Sequence, residues 1–210
     1  DNQVIKAKIS SSFISHQQAL INLKRELPAD LSFDEIVDQG RKVWNKELSK
    51  IRVTAGNSKD DLSNKIKFYS CFYRTILFPR EFHEYDDQGR QIHYSPYNGK
   101  VLEGPLYTDN GFWDTFRAVF PFYTLLYPEK LGEIMQGIMV NPYLESGWLP
   151  EWSSPGHRDC MIGSNSASII AEAYIKGITD FDISSAYQGI LNSSKNEGPL
   201  SSVGRKGADL

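Results

Sequence analysis

The sequence predicts a mainly α protein built of helical hairpins and long loops, and two observations support this fold class. Between residues 15 and 79, three Ser-led capping signals each precede an apolar pattern with helical spacing. After residue 112, further patterns of this kind alternate with segments rich in Gly, Pro and Trp. Chains that alternate helix pairs with loops form helical arrays or toroids in which the loops gather at one end. Any binding site is therefore expected at that end.

The first part of the chain contains a connector and three predicted helices. Residues 4–14 are Ser-rich and alternate loosely between apolar and polar side chains, which predicts a strand or an extended connector. Each helix begins at a capping box, in which a Ser oxygen and a side chain three residues later satisfy free backbone N–H groups. The boxes are Ser15 with Gln18, Ser32 with Glu35 and Ser58 with Asp61. The expected apolar faces are Ala19, Leu20 and Leu23, then Ile36, Val37, Val43, Trp44, Leu48 and Ile51, then Leu62, Ile66, Tyr69, Phe72, Tyr73 and Ile76.

Turn signals and further helical patterns follow. Residues 81–110 are polar and aromatic and contain Asp87-Gln88-Gly89 and Asn98-Gly99, which predicts a long loop with one or two small hairpins. Loops this long inside a compact domain are usually functional. The later predicted helices span 113–126, 129–140, 166–177 and 183–191. Pro121 is expected to break the first of them, and Ser166 is expected to cap the third. A second loop spans 145–164, and a tail rich in Gly, Ser and Lys follows the last helix.

The composition argues against several classes of partner. The chain has 23 Lys and Arg against 26 Asp and Glu, and the two signs are interspersed, so we expect no contact with nucleic acid or an anionic membrane surface. No apolar run reaches about 18 residues, so we expect no membrane span. Cys71 and Cys160 lack metal-ligand spacing. Cys71 is expected in the core, and a bridge between the two cysteines stays open.

Two loop-to-helix segments concentrate the residue types that sugar recognition needs. The first tryptophan segment is residues 107–117, YTDNGFWDTFR, and the second is residues 146–163, SGWLPEWSSPGHRDCMIG. Asp and Arg can bind adjacent hydroxyls in a bidentate way, while a Trp ring covers the apolar face of a sugar. From the spacing alone, an ordinary surface ion pair between Asp114 and Arg117 is the competing interpretation.

Several motifs, in order along the chain, resemble glycoside hydrolase family 92. FWDTFR at 112–117, followed by Pro121, is similar to the family signature LWDTFR. SGWLP at 146–150, CMIG at 160–163 and IIAEAYIKG at 169–177 resemble its GxLP…CMIG…IADAYxKG block. Upstream, ISSSFISHQQALINLKREL at 9–27 resembles the family's IGISFISxxQAxxNLxxE, and FYRTILFP at 72–79 resembles LYRTLLxP.

This resemblance implies a fold, an activity and a cofactor. The fold is an (α/α)6 helical toroid, with residues 1–14 as the strand or linker from a missing N-terminal β-sandwich and residues 15–210 as the first, incomplete portion of the toroid. The activity is that of an inverting exo-α-mannosidase acting on terminal mannose of glycans, with α-1,2 or a related linkage. The cofactor is Ca²⁺, bound in the full-length domain. We expect a bacterial protein that is secreted, periplasmic or on the cell surface, and whose partners are an α-mannoside glycan and the rest of its own polypeptide.

The resemblance also carries roles over to particular residues. Trp113, Asp114 and Arg117 are expected at the sugar-binding subsite, and Trp148 and Trp152 as walls of the cleft. His157 is expected to position a carboxylate or a neighbouring sugar, or to be a hydrogen-bonded loop histidine. Ser164 and Asn165 are expected either near the metal or as helix caps.

The catalytic acid is where this chain departs from the family pattern. Family members carry NET shortly before CMIG, with the Glu as general acid, whereas this chain has GHRD at 156–159. Either Glu151 or Asp159 supplies the proton, or the leaving group needs little protonation. The general base and several metal ligands are expected outside the chain, so its own metal ligands are unassigned and the chain alone is expected to be inactive.

Two other functions stay open at this point. The missing Glu favours a non-catalytic carbohydrate-binding or scaffold module. Two carboxylates with Trp-rich loops are also typical of other helical-toroid hydrolases, such as glucosidases and trehalases. The hydrolase hypothesis requires that the two tryptophan segments meet at one mouth and that Asp114 is open to solvent.

Overall fold

The computed structural model describes residues 5–54, 56–161 and 163–203, and the chain divides into two compact units. The first unit is Asp1–Ile76 with Glu84–Arg90, and the second is Leu77–His83 with Gln91–Leu210. In the described residues, every helix is too short or too polar to cross a bilayer.

The elements follow the predicted order of helices, small strands and helices again. The helices are α1 (His16–Glu26), α2 (Phe33–Leu48), α3 (Lys59–Thr75), α4 (Phe112–Thr115), α5 (Val119–Leu126), α6 (Pro128–Met135), α7 (Asn141–Ser146), α8 (Asn165–Ile175) and α9 (Ile183–Lys195). The strands are β1 (Arg80–Glu81), β2 (Glu84–Tyr85), β3 (Gln91–Tyr94), β4 (Val101–Glu103), β5 (Tyr107–Thr108), β6 (Asn110–Gly111) and β7 (Trp152–Ser153).

All three predicted helix starts in the first unit are present. Ser32 and Ser58 form complete capping boxes with Glu35 and Asp61. Hydrogen bonds from Ser32 lower the pKa of the Glu35 carboxyl. Ser15 accepts from the backbone N–H of Gln18 at 3.0 Å, but the box is only half formed because the Gln18 side chain bonds elsewhere.

The buried face of α1 differs from the prediction. Gln18 and Asn22 are the buried residues, while Leu20 stays exposed. The Gln18 amide donates to the Tyr85 carbonyl at 2.7 Å, and the Asn22 amide donates to the Glu84 carboxylate at 2.6 Å. A carbonyl and a carboxylate that are both partly buried need donors, so they favour the amide face of α1.

Helices α2 and α3 pack together through aromatic side chains. The Trp44 and Tyr73 ring centroids lie 4.6 Å apart, and the Tyr69 hydroxyl donates to the Ile51 carbonyl at 3.0 Å. Much of the predicted apolar face remains exposed, including Val43, Leu62 and Ile66.

The prediction that Cys71 lies in the core is wrong. Phe72 is the buried residue of α3, and its neighbour Cys71 therefore points outward. Cys71 and Cys160 are both exposed, free thiols, so the bridge considered from the sequence is not formed.

In the second unit, β3 and β4 form an antiparallel hairpin in which His93 pairs with Leu102. We call residues 95–99 the hairpin tip. Ser95 is fully buried there, and its hydroxyl accepts from the backbone N–H groups of Tyr97 and Asn98, both at 3.2 Å. Gly99 closes the turn in the left-handed region, at φ +75°. The tip is therefore held by its own hydrogen bonds.

The helical region after residue 112 breaks at a different place from the prediction. Residues 116–118 form a turn between α4 and α5. Pro121 instead lies in the first turn of α5, where its missing N–H removes no helical hydrogen bond.

The helix predicted to end near residue 140 continues to Ser146. Residues Gln136–Val140 form a π-helical turn that joins α6 to α7, and Gly147 ends the helix at φ +83°. Pro142 cannot donate to the carbonyl four residues earlier, which accounts for a widened turn at this place. The joined helix is the centre of the core, with Leu131, Met135, Ile138, Met139 and Val140 each fully buried.

The remaining predictions concern the two ends of the chain. No strand occurs in residues 5–14, so this part is a connector. Helix α9 begins at an Asp182 cap and extends to Lys195, four residues beyond the predicted end. Val4, Ile162 of the CMIG motif and the tail from 204 to 210 lie outside the described residues.

Candidate functional site

The two tryptophan segments are joined by backbone pairing. Strands β6 and β7 are antiparallel, with Asn110 opposite Ser153 and Gly111 opposite Trp152. The Phe112 N–H donates to the Glu151 carbonyl at 3.1 Å and extends the pairing toward α4. The structure therefore brings together two segments that lie about 40 residues apart in the sequence, as the hydrolase hypothesis required.

Trp152 lies directly over Gly111. A Cβ atom at Gly111 would stand 2.3 Å from Cε3 of the Trp152 ring, closer than any real side-chain contact. The Gly111 backbone is ordinary, at φ −102°, so close approach of the ring is what requires glycine here. This contact sets the half-buried position of Trp152 against the first segment.

The first segment presents its charged and aromatic groups to solvent. Trp113 is 47% exposed, and the Arg117 guanidinium lies 5.3 Å from its ring centroid and 4.6 Å from that of Phe116. Asp114 is also exposed. No ion pair joins Asp114 to Arg117 in the described structure, where the Arg117 guanidinium lies over the rings of Trp113 and Phe116. The carboxylate and the guanidinium are both accessible to a ligand.

Glu151 is buried and caps α8. It is 5% exposed, and its carboxylate accepts from the N–H groups of Asn165 and Ser166 at 3.0 and 3.3 Å. The Ser166 hydroxyl donates to it at 2.5 Å. Ser164 occupies the N-cap position of α8 but its side chain makes no capping hydrogen bond, and the predicted cap Ser166 lies inside the helix. A carboxylate is favoured at this end because it satisfies free N–H groups at the positive end of the helix dipole. Burial raises the pKa of Glu151, and these hydrogen bonds oppose the rise.

A small cavity of about 50 Å³ lies beside Glu151. Its lining includes Leu149, Gly163, Ala167 and Ser193, and the Ser193 hydroxyl is buried without a partner among the described residues. A space of this size holds one or two waters and is smaller than a hexose.

The carboxylate of Asp159 is exposed to solvent, whereas that of Glu151 is buried. Asp159 accepts from the Ser201 hydroxyl at 2.7 Å and from the Ser202 N–H at 3.3 Å. The hydrogen bond from Ser201 lowers the pKa of Asp159. Glu151 is the better proton donor of the two, and Asp159 is the better permanent anion.

His157 is a hydrogen-bonded loop residue next to Trp148. Its Nε2 lies 3.0 Å from the Ser146 hydroxyl, which also accepts from the Trp148 N–H at 3.1 Å. Its Nδ1 is buried with no partner in the described part of the chain. Burial lowers the pKa of His157 to about 4, so the ring is neutral at neutral pH. Ser146 thus links the histidine to the tryptophan.

One cluster in the described ranges has the residue types of a metal site, Glu81, His83 and Glu133. The Lys130 ammonium lies 3.1 Å from Glu81 and 3.0 Å from Glu133, and it already balances both carboxylates. Calcium takes six to eight oxygen ligands, whereas this set contains an imidazole nitrogen and a lysine. The cluster does not fit calcium.

Sequence reasoning missed two residues that support the site. Asp109 adopts a left-handed backbone at φ +61°, and its carboxylate accepts from Ser154 at 2.9 Å and pairs with Arg80. The only sequence signal for it was an Asp in a turn-like YTDNG run. Glu145 pairs with the buried His93, 52 residues away, and nothing in the sequence indicated that contact.

Comparison with known proteins agrees with these motifs. A model of the glycosyl hydrolase family 92 catalytic domain matches residues 18–210. An uncharacterized secreted glycosidase of Arthroderma benhamiae is 26% identical over 207 residues, which are 97% of this chain and 22% of that protein.

Two solved structures from Bacteroides thetaiotaomicron share the fold. A family 92 inverting mannosidase is 48% identical, with a TM-score of 0.86 over 93% of this chain and 26% of that one. A family 92 α-mannosidase in complex with mannoimidazole is 28% identical, with a TM-score of 0.77 over 90% of this chain and 24% of that one. This chain thus spans about a quarter of the length of these relatives. The predicted fold class, part of a mainly α family 92 domain, is confirmed, and the chain belongs to glycosyl hydrolase family 92.

Proposed function

We propose that this chain forms part of the sugar site of an exo-acting, inverting α-mannosidase that removes terminal mannose from glycans, with α-1,2 or a related linkage. The observation that carries the proposal is the β6–β7 pairing, which joins the two tryptophan segments. The family 92 relatives named as mannosidases support the substrate class. The secreted Arthroderma glycosidase supports the proposal that this protein is secreted.

In this proposal, the exposed groups of the first segment hold the sugar. Asp114 and Arg117 bind adjacent hydroxyls of a terminal mannose, and Trp113 covers one face of the ring. Trp148 and Trp152 form the wall of the cleft. The stack of Arg117 on Trp113 supports this role, because it orients the guanidinium before a ligand arrives.

Inversion needs one carboxylic acid on the leaving oxygen and one carboxylate that activates water on the opposite face, about 6.5 to 9.5 Å apart. We propose Glu151 and Asp159 as the candidate catalytic residues of this chain, with Glu151 favoured as the proton donor by its raised pKa. The alternative is a leaving group that departs with little protonation. The general base is proposed to lie outside this chain.

Calcium is proposed to bind in the full-length domain, with several of its ligands outside this chain and with Ser164 and Asn165 either near the metal or at the start of α8; the donor set of Glu81, His83 and Glu133 does not fit it. When bound, calcium would coordinate sugar hydroxyl oxygens. The rest of the same polypeptide is thus a required partner of this chain.

A non-catalytic carbohydrate-binding function is the second candidate, and one observation favours it. The Glu151 carboxylate is occupied by backbone and side-chain donors of Asn165 and Ser166 in α8, which makes a purely structural role sufficient to explain its burial. In that case the site binds a mannoside without cleaving it.

The test uses the full-length polypeptide with calcium and an α-1,2-linked mannobiose. We expect mannose release with the β anomer formed first by proton NMR, and no release by the 210-residue chain alone. E151Q is expected to lower kcat for mannobiose by a factor of about 10² to 10⁴. Its kcat should be largely restored on a substrate whose activated leaving group needs no protonation. E172Q, a change of the same type at the α8 ion pair with Lys176, serves as the control and should have no effect.

Three results separate the alternatives. Loss of turnover in D159N but not in E151Q would move the acid role to Asp159. Full activity of both variants would remove both from the chemistry. Binding of mannobiose by the wild type without any release would favour the non-catalytic function.

A further inference from the structure

The hairpin tip contacts the second tryptophan segment at three places. Pro96 packs against Gly156, and the rings of Tyr97 and His157 meet edge to face with centroids 4.8 Å apart. The Tyr97 hydroxyl lies 3.4 Å from the Ser153 hydroxyl. The tip therefore contacts the segment on both sides of the Ser154-Pro155 corner.

The second segment needs such support because it has little structure of its own. From Gly147 to Ser164 its regular structure in the described residues is the two-residue strand β7 and one bridge between Ser153 and His157. Each residue held in one conformation costs roughly 1–2 kcal/mol of backbone entropy. Contacts from outside the segment must supply much of the free energy that orders it.

The hairpin is built to supply these contacts. The Ser95 hydroxyl accepts from two backbone N–H groups of the tip. His93 lies in β3, two residues before Ser95, and attaches the hairpin to its surroundings. His93 is fully buried, with Nδ1 2.9 Å from the Gly104 carbonyl and Nε2 2.9 Å from the Glu145 carboxylate. Glu145 directly precedes the second segment. One buried ring thus ties the base of the hairpin to the start of the segment.

The contact at Gly156 is tight, and its backbone conformation favours glycine. Gly156 has φ +78°, and a Cβ atom there would stand 3.3 Å from the Pro96 Cβ. The segment backbone therefore runs against the proline ring, and a change at either residue displaces the other.

We propose that the hairpin tip is a brace for the second tryptophan segment, and that Tyr97 and His93 are positioning residues for the sugar site. The brace fixes Trp148 and Trp152 in the place from which they meet a sugar held by the first segment. This inference rests on the proposed function and adds two residues to it, neither of which touches the substrate. Tyr97 is the better residue to test, because it lies at the contact itself.

The experiment compares Tyr97→Leu with Tyr97→Phe and with Tyr94→Leu. Tyr94 is in the same hairpin and is 39% exposed, which makes it a matched control. Hydrogen exchange of residues 146–160 and the kcat and KM for mannobiose are measured in the full-length polypeptide. Tyr97→Leu should speed exchange in that stretch and raise KM on the order of tenfold, with a smaller change in kcat. Tyr97→Phe keeps the ring contact with His157 and should stay near wild type, as should Tyr94→Leu.

A second pair of variants covers the case in which Tyr97→Leu does not fold. Gly156→Ala places an alanine at a positive φ and brings its Cβ against Pro96. Gly89→Ala also places an alanine at a positive φ, +80°, but nothing lies within 4 Å of its Cβ. Faster exchange at 146–160 and a higher KM are expected for Gly156→Ala alone.

Unchanged exchange in both Tyr97→Leu and Gly156→Ala would overturn the brace. Faster exchange with an unchanged KM would overturn the positioning role and leave a contact that serves stability only. If the wild type releases no mannose while Tyr97→Leu still speeds exchange, the proposed function fails and the brace on the segment stands.

Discussion

The two tryptophan segments meet through β6 and β7, but they use their polar groups differently. In the first segment, Trp113 and Asp114 are exposed and make no internal hydrogen bonds in the described structure. In the second, the Glu151 carboxylate accepts from Asn165 and Ser166 of α8, and His157 is hydrogen-bonded to Ser146. Groups that are already satisfied stabilise the chain, whereas accessible groups can exchange water for a ligand. Trp113 and Asp114 of the first segment are therefore suited to recognition, whereas Glu151 and His157 of the second segment support the chain, and Glu151 is also a candidate acid.

The largest effect is expected where the segments touch. Gly111→Ala places a Cβ 2.3 Å from the Trp152 ring, so either the ring or the β6–β7 pairing must move. Overpacking of this kind lowers the free energy of unfolding by about 3 kcal/mol, measured by urea denaturation.

Gly40→Ala is the control for that change. Gly40 lies in α2 with nothing within 4 Å of a new Cβ, so alanine should stabilise the helix by roughly 0.5–1 kcal/mol. An equal response to the two substitutions would mean that the Trp152 contact does not hold the segments together.

A smaller effect is expected from pH acting on the second segment. The pKa of His157 is lowered from 6.5 to about 4, so the unfolded chain binds more protons than the folded chain between these values. The free energy of unfolding is then highest above pH 6.5 and falls as the pH drops through this window, by on the order of 1–2 kcal/mol at pH 5.

The measurement is urea denaturation of the wild type and of His157→Asn at pH 7.5 and pH 5. The difference between the two proteins isolates the contribution of the histidine, because both proteins carry the same carboxylates. A wild-type loss that persists in His157→Asn would show that other groups carry the pH dependence.

The smallest effect on stability is expected in the first segment. Asp114→Asn removes an exposed charge that has no internal partner, so the free energy of unfolding should change by less than about 0.5 kcal/mol. The same variant should weaken mannoside binding by the full-length polypeptide, measured by calorimetry. A large loss of stability would place Asp114 among the supporting residues and abolish the contrast between the segments.

The prediction from sequence succeeded for features that depend on neighbouring residues and failed for features that depend on tertiary contacts. Three capping signals located the starts of α1, α2 and α3, because a cap depends on residues three positions apart. The buried face of α1 was wrong, since a carboxylate and a carbonyl from residues 84 and 85 select Gln18 and Asn22. The helix break was misplaced at Pro121, since a proline in a first turn is tolerated.

The sequence by itself determined that this chain is mainly helical, where α1, α2 and α3 begin, and which two segments carry the residue types typical of sugar sites, because caps, periodicity and motifs are short-range properties. Only the tertiary structure decided that Glu151 caps α8, that Gly111 lies beneath Trp152 and that His93 binds Glu145. These contacts join residues 14 to 52 positions apart. Their partners are selected by burial and by the need to satisfy every polar group removed from water, which no local pattern encodes.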